Sequence, residues 1–172
     1  MRRYLITGSL LLMLAVAAAG GFWALGPAQK TAPADSSGQA VTASTLTVYA
    51  SPQCGCCDDW VAHMENNGFR TEVRKVDNVN AVKQEAGLPR ELVSCHTAFI
   101  DDYLIEGHVP AKEVRRLLRE QPEAAGLSVP GMPMGSPGME VEGRGRDAFD
   151  VILFQRDGTH SIYESYPAQT SL

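Results

Sequence analysis

The chain has 172 residues, 44% hydrophobic and 20% charged, with a net charge of −5 at pH 7. Those proportions suit one globular domain with appended segments. The acidic balance leaves no basic footprint of the kind that binds nucleic acid, so that class of partner is set aside.

At the N-terminus, Arg2 and Arg3 precede an uncharged stretch from Tyr4 to Gln29 with an apolar heart over residues 10–19. A basic start, an apolar run and the small residues Ala17, Ala18 and Ala19 have the pattern of an export signal. Apolar character continues through Phe22-Trp23-Ala24-Leu25. The stretch thus reaches the ~20 residues that span a bilayer, so residues 1–29 read either as a signal peptide or as a membrane anchor. Either reading sends the rest of the chain to the periplasm, soluble or tethered, where unprotected thiols oxidise. Residues 30–44 are rich in Ala, Ser and Thr with one acid, Asp35, and predict a flexible linker. The folded domain is expected over 45–172.

Thr45–Ala50 is β-branched and aromatic, which predicts a buried strand broken by Ser51-Pro52-Gln53. Cys57, Trp60, Val61 and Met64 follow the i, i+3, i+4, i+7 spacing of an amphipathic helix, ended by Asn66-Asn67-Gly68. Phe69–Val76 predicts a second strand, and Val79–Ala86 a short helix stopped by Gly87 and Pro89. Thr97–Ile100 and Tyr103–Ile105 flank Asp101-Asp102 as a hairpin. Pro110 is placed as the first residue of a helix whose stripe is Val114, Leu117 and Leu118. This β-α-β-α-β-β-α order is that of an α/β, thioredoxin-like domain. Three prolines and three glycines make 129–140 a loop, and 150–154 with 161–163 predict a terminal hairpin around Asp157-Gly158.

All four cysteines fall at two places: Cys54-Gly55-Cys56-Cys57, and Cys95 followed by His96. Thiolates are soft ligands, and with an imidazole beside them they select Cu(I), Zn(II) or iron–sulfur centres. Cys54 and Cys57 also form the C-x-x-C spacing of thiol–disulfide exchange. A position between a strand and a helix N-terminus favours thiolate in both cases. Helical neighbours point about 100° apart, so Cys56 and Cys57 are poorly arranged around one tetrahedral ion. Together with Cys54 they could bridge several ions, which favours a polynuclear cluster over a single zinc site.

The remaining candidates have weaker signals. His108, in Gly-His-Val-Pro, is either a strand-end residue or a further ligand. Met132, Met134 and Met139 lie in the loop; thioethers bind Cu(I), so Met132 and Met139 are candidate ligands, the alternative being that they pack the loop down. His63 falls off the apolar stripe and is expected in solvent, Met64 on the stripe is expected in the core, and His160 is expected to have no role. Asp58 and Asp59 in the first helical turn complement the dipole.

Tyr49-Ala50-Ser51-Pro52-Gln53-Cys54 before a helix looks like the active-site approach of thioredoxins, and Cys95-His96-Thr97 falls where those proteins carry a cis-proline loop. More narrowly, Cys-Gly-Cys-Cys, Ser-Cys-His-Thr, Glu-Gly-His-Val-Pro and the 129–140 loop together resemble the CopG-type copper-resistance proteins. These are exported thioredoxin-like proteins, distinct from the DNA-binding repressors that share the name. The resemblance covers about Leu46 to Tyr166. It implies a cysteine-bridged multi-copper cluster held by Cys54, Cys56, Cys57, Cys95 and His96; apart from the resemblance, the cysteines leave a structural zinc module as the alternative metal site. The resemblance further implies a role in copper resistance, by binding or by Cu(I)/Cu(II) interconversion, beside a copper-efflux system or an exported copper chaperone. The rival reading is a thiol–disulfide oxidoreductase using Cys54 and Cys57.

Overall fold

The computed structural model describes residues 44–170. The expected signal or anchor at 1–29, and the linker up to residue 43, lie outside the described residues. No helix among the described residues is long and apolar enough to cross a membrane.

The described residues form a mixed α/β domain: seven strands in one sheet and three α-helices. Strand β1 (Thr45–Ala50) lies inside the sheet because Leu46, Val48 and Ala50 alternate into the core, at 0%, 0% and 1% exposure. It pairs in parallel with β2 (Arg70–Lys75) and antiparallel with β3 (Thr97–Ile100). The first connection is helix α1 (Gly55–Asn66), which buries the expected stripe Cys57, Trp60, Val61 and Met64. A shorter helix, α2 (Val79–Glu85), follows β2, its N-cap Asn78 accepting a hydrogen bond from the Ala81 N–H. Strand β4 (Tyr103–Glu106) returns antiparallel to β3 around the Asp101-Asp102 turn. Helix α3 (Ala111–Glu120) has Pro110 as its N-cap, one place earlier than expected, and ends at Gln121 in the left-handed region.

Beyond α3 the sheet continues through β5 (Gly126–Ser128), which the sequence did not reveal. It is parallel to β4 and antiparallel to β6 (Phe149–Phe154), which in turn pairs with β7 (His160–Tyr166). The terminal hairpin is therefore part of the main sheet, ordered β2-β1-β3-β4-β5-β6-β7. Gly126 permits this junction, since a Cβ there would collide with the Leu104 carbonyl.

One core cluster joins Leu46, Val48, Trp60, Met64, Ile105, Val114, Leu117 and Leu127, uniting sheet, α1 and α3. Each of the larger side chains contributes about 1.5–3 kcal/mol of burial. That cluster holds the start of α1 against the segments before β3 and after β4, where the cysteines and histidines converge.

Candidate metal centre

Ser51-Pro52-Gln53 turns the chain out of β1, and Cys54 becomes the N-cap of α1 with extended backbone and no side-chain capping bond. One helical turn brings Cys57 beside Cys54, and the two form a disulfide; Cys56 and Cys95 are free thiols. The Cys56 sulfur lies 3.6 Å from that of Cys54, and the Cys95 sulfur 3.7 Å from that of Cys57. The four sulfurs lie within 4.8 Å of one another. Thus the segment before β3, distant in sequence, meets the start of α1 at thiol-to-thiol range.

A second donor group shares the same sulfur. Cys95 Sγ is 3.2 Å from His96 Nδ1 and 3.0 Å from His108 Nε2, and one donor atom from each of the three residues lies within 4.8 Å of the others. The structure thus places His108 beside Cys95 and His96, at donor distance from the Cys95 sulfur. His108 gets there because β4 is followed by Gly107, whose φ of +68° turns the chain and whose N–H donates to the His96 carbonyl. A Cβ at Gly107 would overlap the Ser94 side chain.

The histidine tautomer follows from one contact. His108 Nδ1 sits 2.8 Å from the Pro137 carbonyl oxygen. A carbonyl only accepts, so Nδ1 carries the proton and Nε2 presents a lone pair toward Cys95. Burial lowers the affinity of His108 for a second proton, opposed by that Pro137 bond and by Glu140. Burial holds His96 well below the ordinary imidazole range, helped by His108 and the Lys83 ammonium. Both rings are thus kept neutral, the form that can ligate. The Cys95 thiol is pushed up to about 12, chiefly by burial and then by the neighbouring Cys56 thiol. An uncharged pocket of this kind resists holding a bare thiolate, whereas a cation would compensate it. His96 Nε2 is fully buried with no hydrogen-bond partner among the described residues. An unmet buried nitrogen costs about 1–3 kcal/mol. The donor set therefore fits a soft metal ion: up to four sulfurs once the disulfide is reduced, and two neutral imidazoles.

The 129–140 loop closes over this group. Besides the Pro137 contact, Gly138 packs against α1 so closely that a Cβ would stand 2.7 Å from both the Cys56 carbonyl oxygen and the Trp60 nitrogen. Met139 is half-buried in the loop, whereas Met132 is 54% exposed. Gly131 bridges to Ser94, so Met132 sits one residue from the segment that carries Cys95.

Three polar features were not legible in the sequence. His63 is not a solvated helix residue: its Nε2 accepts the Ala111 N–H at 3.1 Å and so caps α3 from α1. Trp60, expected only as core, lays its ring 4.4 Å from that of His96 and donates its Nε1–H to the Val109 carbonyl. Lys83 and Glu106 form a buried ion pair at 2.6 Å behind the cysteine segment. Burial raises the Glu106 carboxyl, yet Lys83, the Ser94 N–H and the Thr97 hydroxyl all donate to its oxygens, the pattern of a carboxylate. Met64 is in the core as expected, Asp58 stands in the first turn of α1 and also pairs with Lys75, and His160 begins β7 opposite Phe154 with its Nδ1 3.1 Å from the Gly158 carbonyl oxygen.

Four cysteines and two histidines converging in a mixed α/β domain define a protein with a soft, Cys/His metal-binding capacity. A family model described as "Protein of unknown function, DUF411" matches residues 92–139, which include Cys95, His96, His108, Met132 and Met139. Two solved structures, described as "Copper resistance protein copG- Form 1" and "Copper resistance protein copG- Form 2", are each 43% identical to this chain. They cover 72% of it and 97% and 98% of their own chains, with TM-scores of 0.67 and 0.68. No curated protein matches. The chain belongs to the CopG copper-resistance family.

Proposed function

We propose that this chain is an exported copper-binding protein that holds a cysteine-bridged, multinuclear copper cluster and acts in copper resistance. The observation that carries the proposal is the shared sulfur of Cys95, common to the four-cysteine group and to the Cys95–His96–His108 group. A thiolate with ligands on both sides is a natural bridge between ions, and six donors in so small a volume exceed what one tetrahedral ion requires. Cys54, Cys56, Cys57, Cys95, His96 and His108 are the ligands of this reading, with Met139 and the exposed Met132 as accessory thioethers. Copper is favoured over zinc by the sulfur-rich set and by the names of the related structures.

The thioredoxin-like reading is supported by the β1-α1-β2-α2-β3-β4-α3 succession and by Cys54 at the N-terminus of α1. Periplasmic residence, with the N-terminal segment cleaved or retained as an anchor, rests on residues 1–29. In that compartment the protein would exchange copper with an efflux system or an exported chaperone. Full loading requires the Cys54–Cys57 disulfide to take up two electrons, because a disulfide sulfur is not a thiolate ligand. That requirement ties metal occupancy to redox state and is compatible with Cu(I)/Cu(II) interconversion at the site.

The same disulfide favours a second reading, a thiol–disulfide oxidoreductase using Cys54 and Cys57. One experiment separates the two: anaerobic Cu(I) titration of the reduced full chain against a competing chelator, beside an insulin-reduction assay. More than one tightly held copper per chain, lost in Cys95→Ser, supports the cluster. Insulin reduction that survives Cys95→Ser and His96→Ala but not Cys54→Ser, with no competition for copper, supports the oxidoreductase.

A further inference from the structure

We propose that the buried Lys83–Glu106 pair is a positioning device for the copper ligands, clamping Cys95 and His96 from both sides and carrying His108 on the same strand end. The inference rests on the copper-binding reading above and deepens it. Glu106 closes β4 and has no exposed surface, and Lys83, on α2, is 4% exposed. Charged residues are almost never buried so fully unless they are paired, as these two are.

The bonds of this pair show where it acts. Glu106 Oε1 accepts from Lys83 Nζ at 2.6 Å and from the Ser94 backbone N–H at 2.6 Å; Oε2 accepts from the Thr97 hydroxyl at 2.7 Å. Lys83 Nζ also donates to the Thr97 hydroxyl oxygen at 2.9 Å. Ser94 immediately precedes Cys95 and Thr97 immediately follows His96, so one carboxylate grips both ends of the two-residue ligand segment. Pairing of β3 begins only at Thr97, and ahead of Cys95 the backbone is held besides by the Ser94–Gly131 bridge. On the other side of Glu106, Gly107 donates its N–H to the His96 carbonyl at 3.0 Å, and His108 follows. The spacing of His108 Nε2 and His96 Nδ1 about Cys95 Sγ is therefore set by a network anchored on Glu106. Partners that orient ligands from behind typically change metal affinity by about 10- to 100-fold when lost.

A buried ion pair could instead serve stability alone, and the two roles separate experimentally. Replacing a buried pair by neutral residues of similar shape is often tolerated, whereas removing one partner strands the other's charge. The full-length chain would be prepared as wild type, Glu106→Gln and the double variant Lys83→Met/Glu106→Gln. Thermal melts would report the fold, Cu(I) competition the affinity, and 15N chemical shifts of the metal-free histidine rings the geometry. The single variant should melt lower. The double variant should regain most of the wild-type Tm yet bind Cu(I) about 10- to 100-fold more weakly, with displaced His96 and His108 ring resonances. A double variant with wild-type affinity and unmoved ring resonances, beside a wild type that loads normally, overturns the positioning role alone. A wild type that takes up no Cu(I) overturns the copper reading, and this proposal with it.

Discussion

Gly138 offers a sharp test of how the loop is seated on the cluster. Its φ is +82°, and a Cβ there would lie 2.7 Å from two backbone atoms of α1, the Cys56 oxygen and the Trp60 nitrogen. Neither atom can swing aside as a side chain would, so Gly138→Ala must move the loop or the helix. A non-glycine residue in the left-handed region costs roughly 1–2 kcal/mol. Moving the loop also strains the adjacent Pro137–His108 hydrogen bond, worth about 1 kcal/mol. The expected total is about 2–3 kcal/mol. Gly143 is the control: its φ is +74° but nothing stands within 4 Å of its Cβ position. Gly143→Ala should therefore cost only the conformational part, about 1–2 kcal/mol. Urea denaturation of both variants measures the difference, and the 15N shifts of the His108 ring report its tautomer. Equal destabilisation by the two substitutions, with the His108 tautomer unchanged in Gly138→Ala, would refute the close packing of the loop on α1.

His63 accepts the Ala111 N–H, so His63→Ala should cost about 0.5–2 kcal/mol, read from chemical denaturation. Burial lowers its pKa in the folded protein from 6.5, so the unfolded chain binds more protons; stability should fall as pH drops below about 6.5, and less steeply in His63→Ala. Reagent labelling of the unfolded, unreduced protein should modify Cys56 and Cys95 and spare Cys54 and Cys57; mass mapping of a Cys57–Cys95 bridge instead would contradict the assigned pairing. Because the Trp60 ring lies 4.4 Å from His96, Cu(I) binding should quench fluorescence that Trp60→Phe removes; quenching undiminished in that variant would place the metal elsewhere.

The strands and helices legible in the sequence are those whose side-chain period coincides with burial. Leu46, Val48 and Ala50 alternate inward, and Cys57, Trp60, Val61 and Met64 line one helical face. Strand β5 had no such signal: Gly126-Leu127-Ser128 is a strand only because β4 and β6 supply partners on both sides. The cysteines declared themselves by residue type, but their meeting with His108 depends on the Gly107 turn and the pairing of β3 with β4. His63 does lie off the apolar stripe of α1, as its spacing indicates. The unforeseen fact is that this side of the helix meets the unsatisfied first turn of α3, a contact 48 residues away in sequence. Lys83 and Glu106 were hidden for a related reason. Charged residues read as surface until the fold shows what each one faces.

The central claim is that copper is held as a sulfur-bridged cluster. The most direct measurement is copper K-edge X-ray absorption on the reduced full-length protein, loaded anaerobically to saturation. The account predicts a sulfur-dominated first shell together with a copper–copper scattering shell, the latter lost in Cys95→Ser. A saturated wild-type protein whose spectrum contains no copper–copper scattering would contradict it, leaving at most a single-ion site among these six residues.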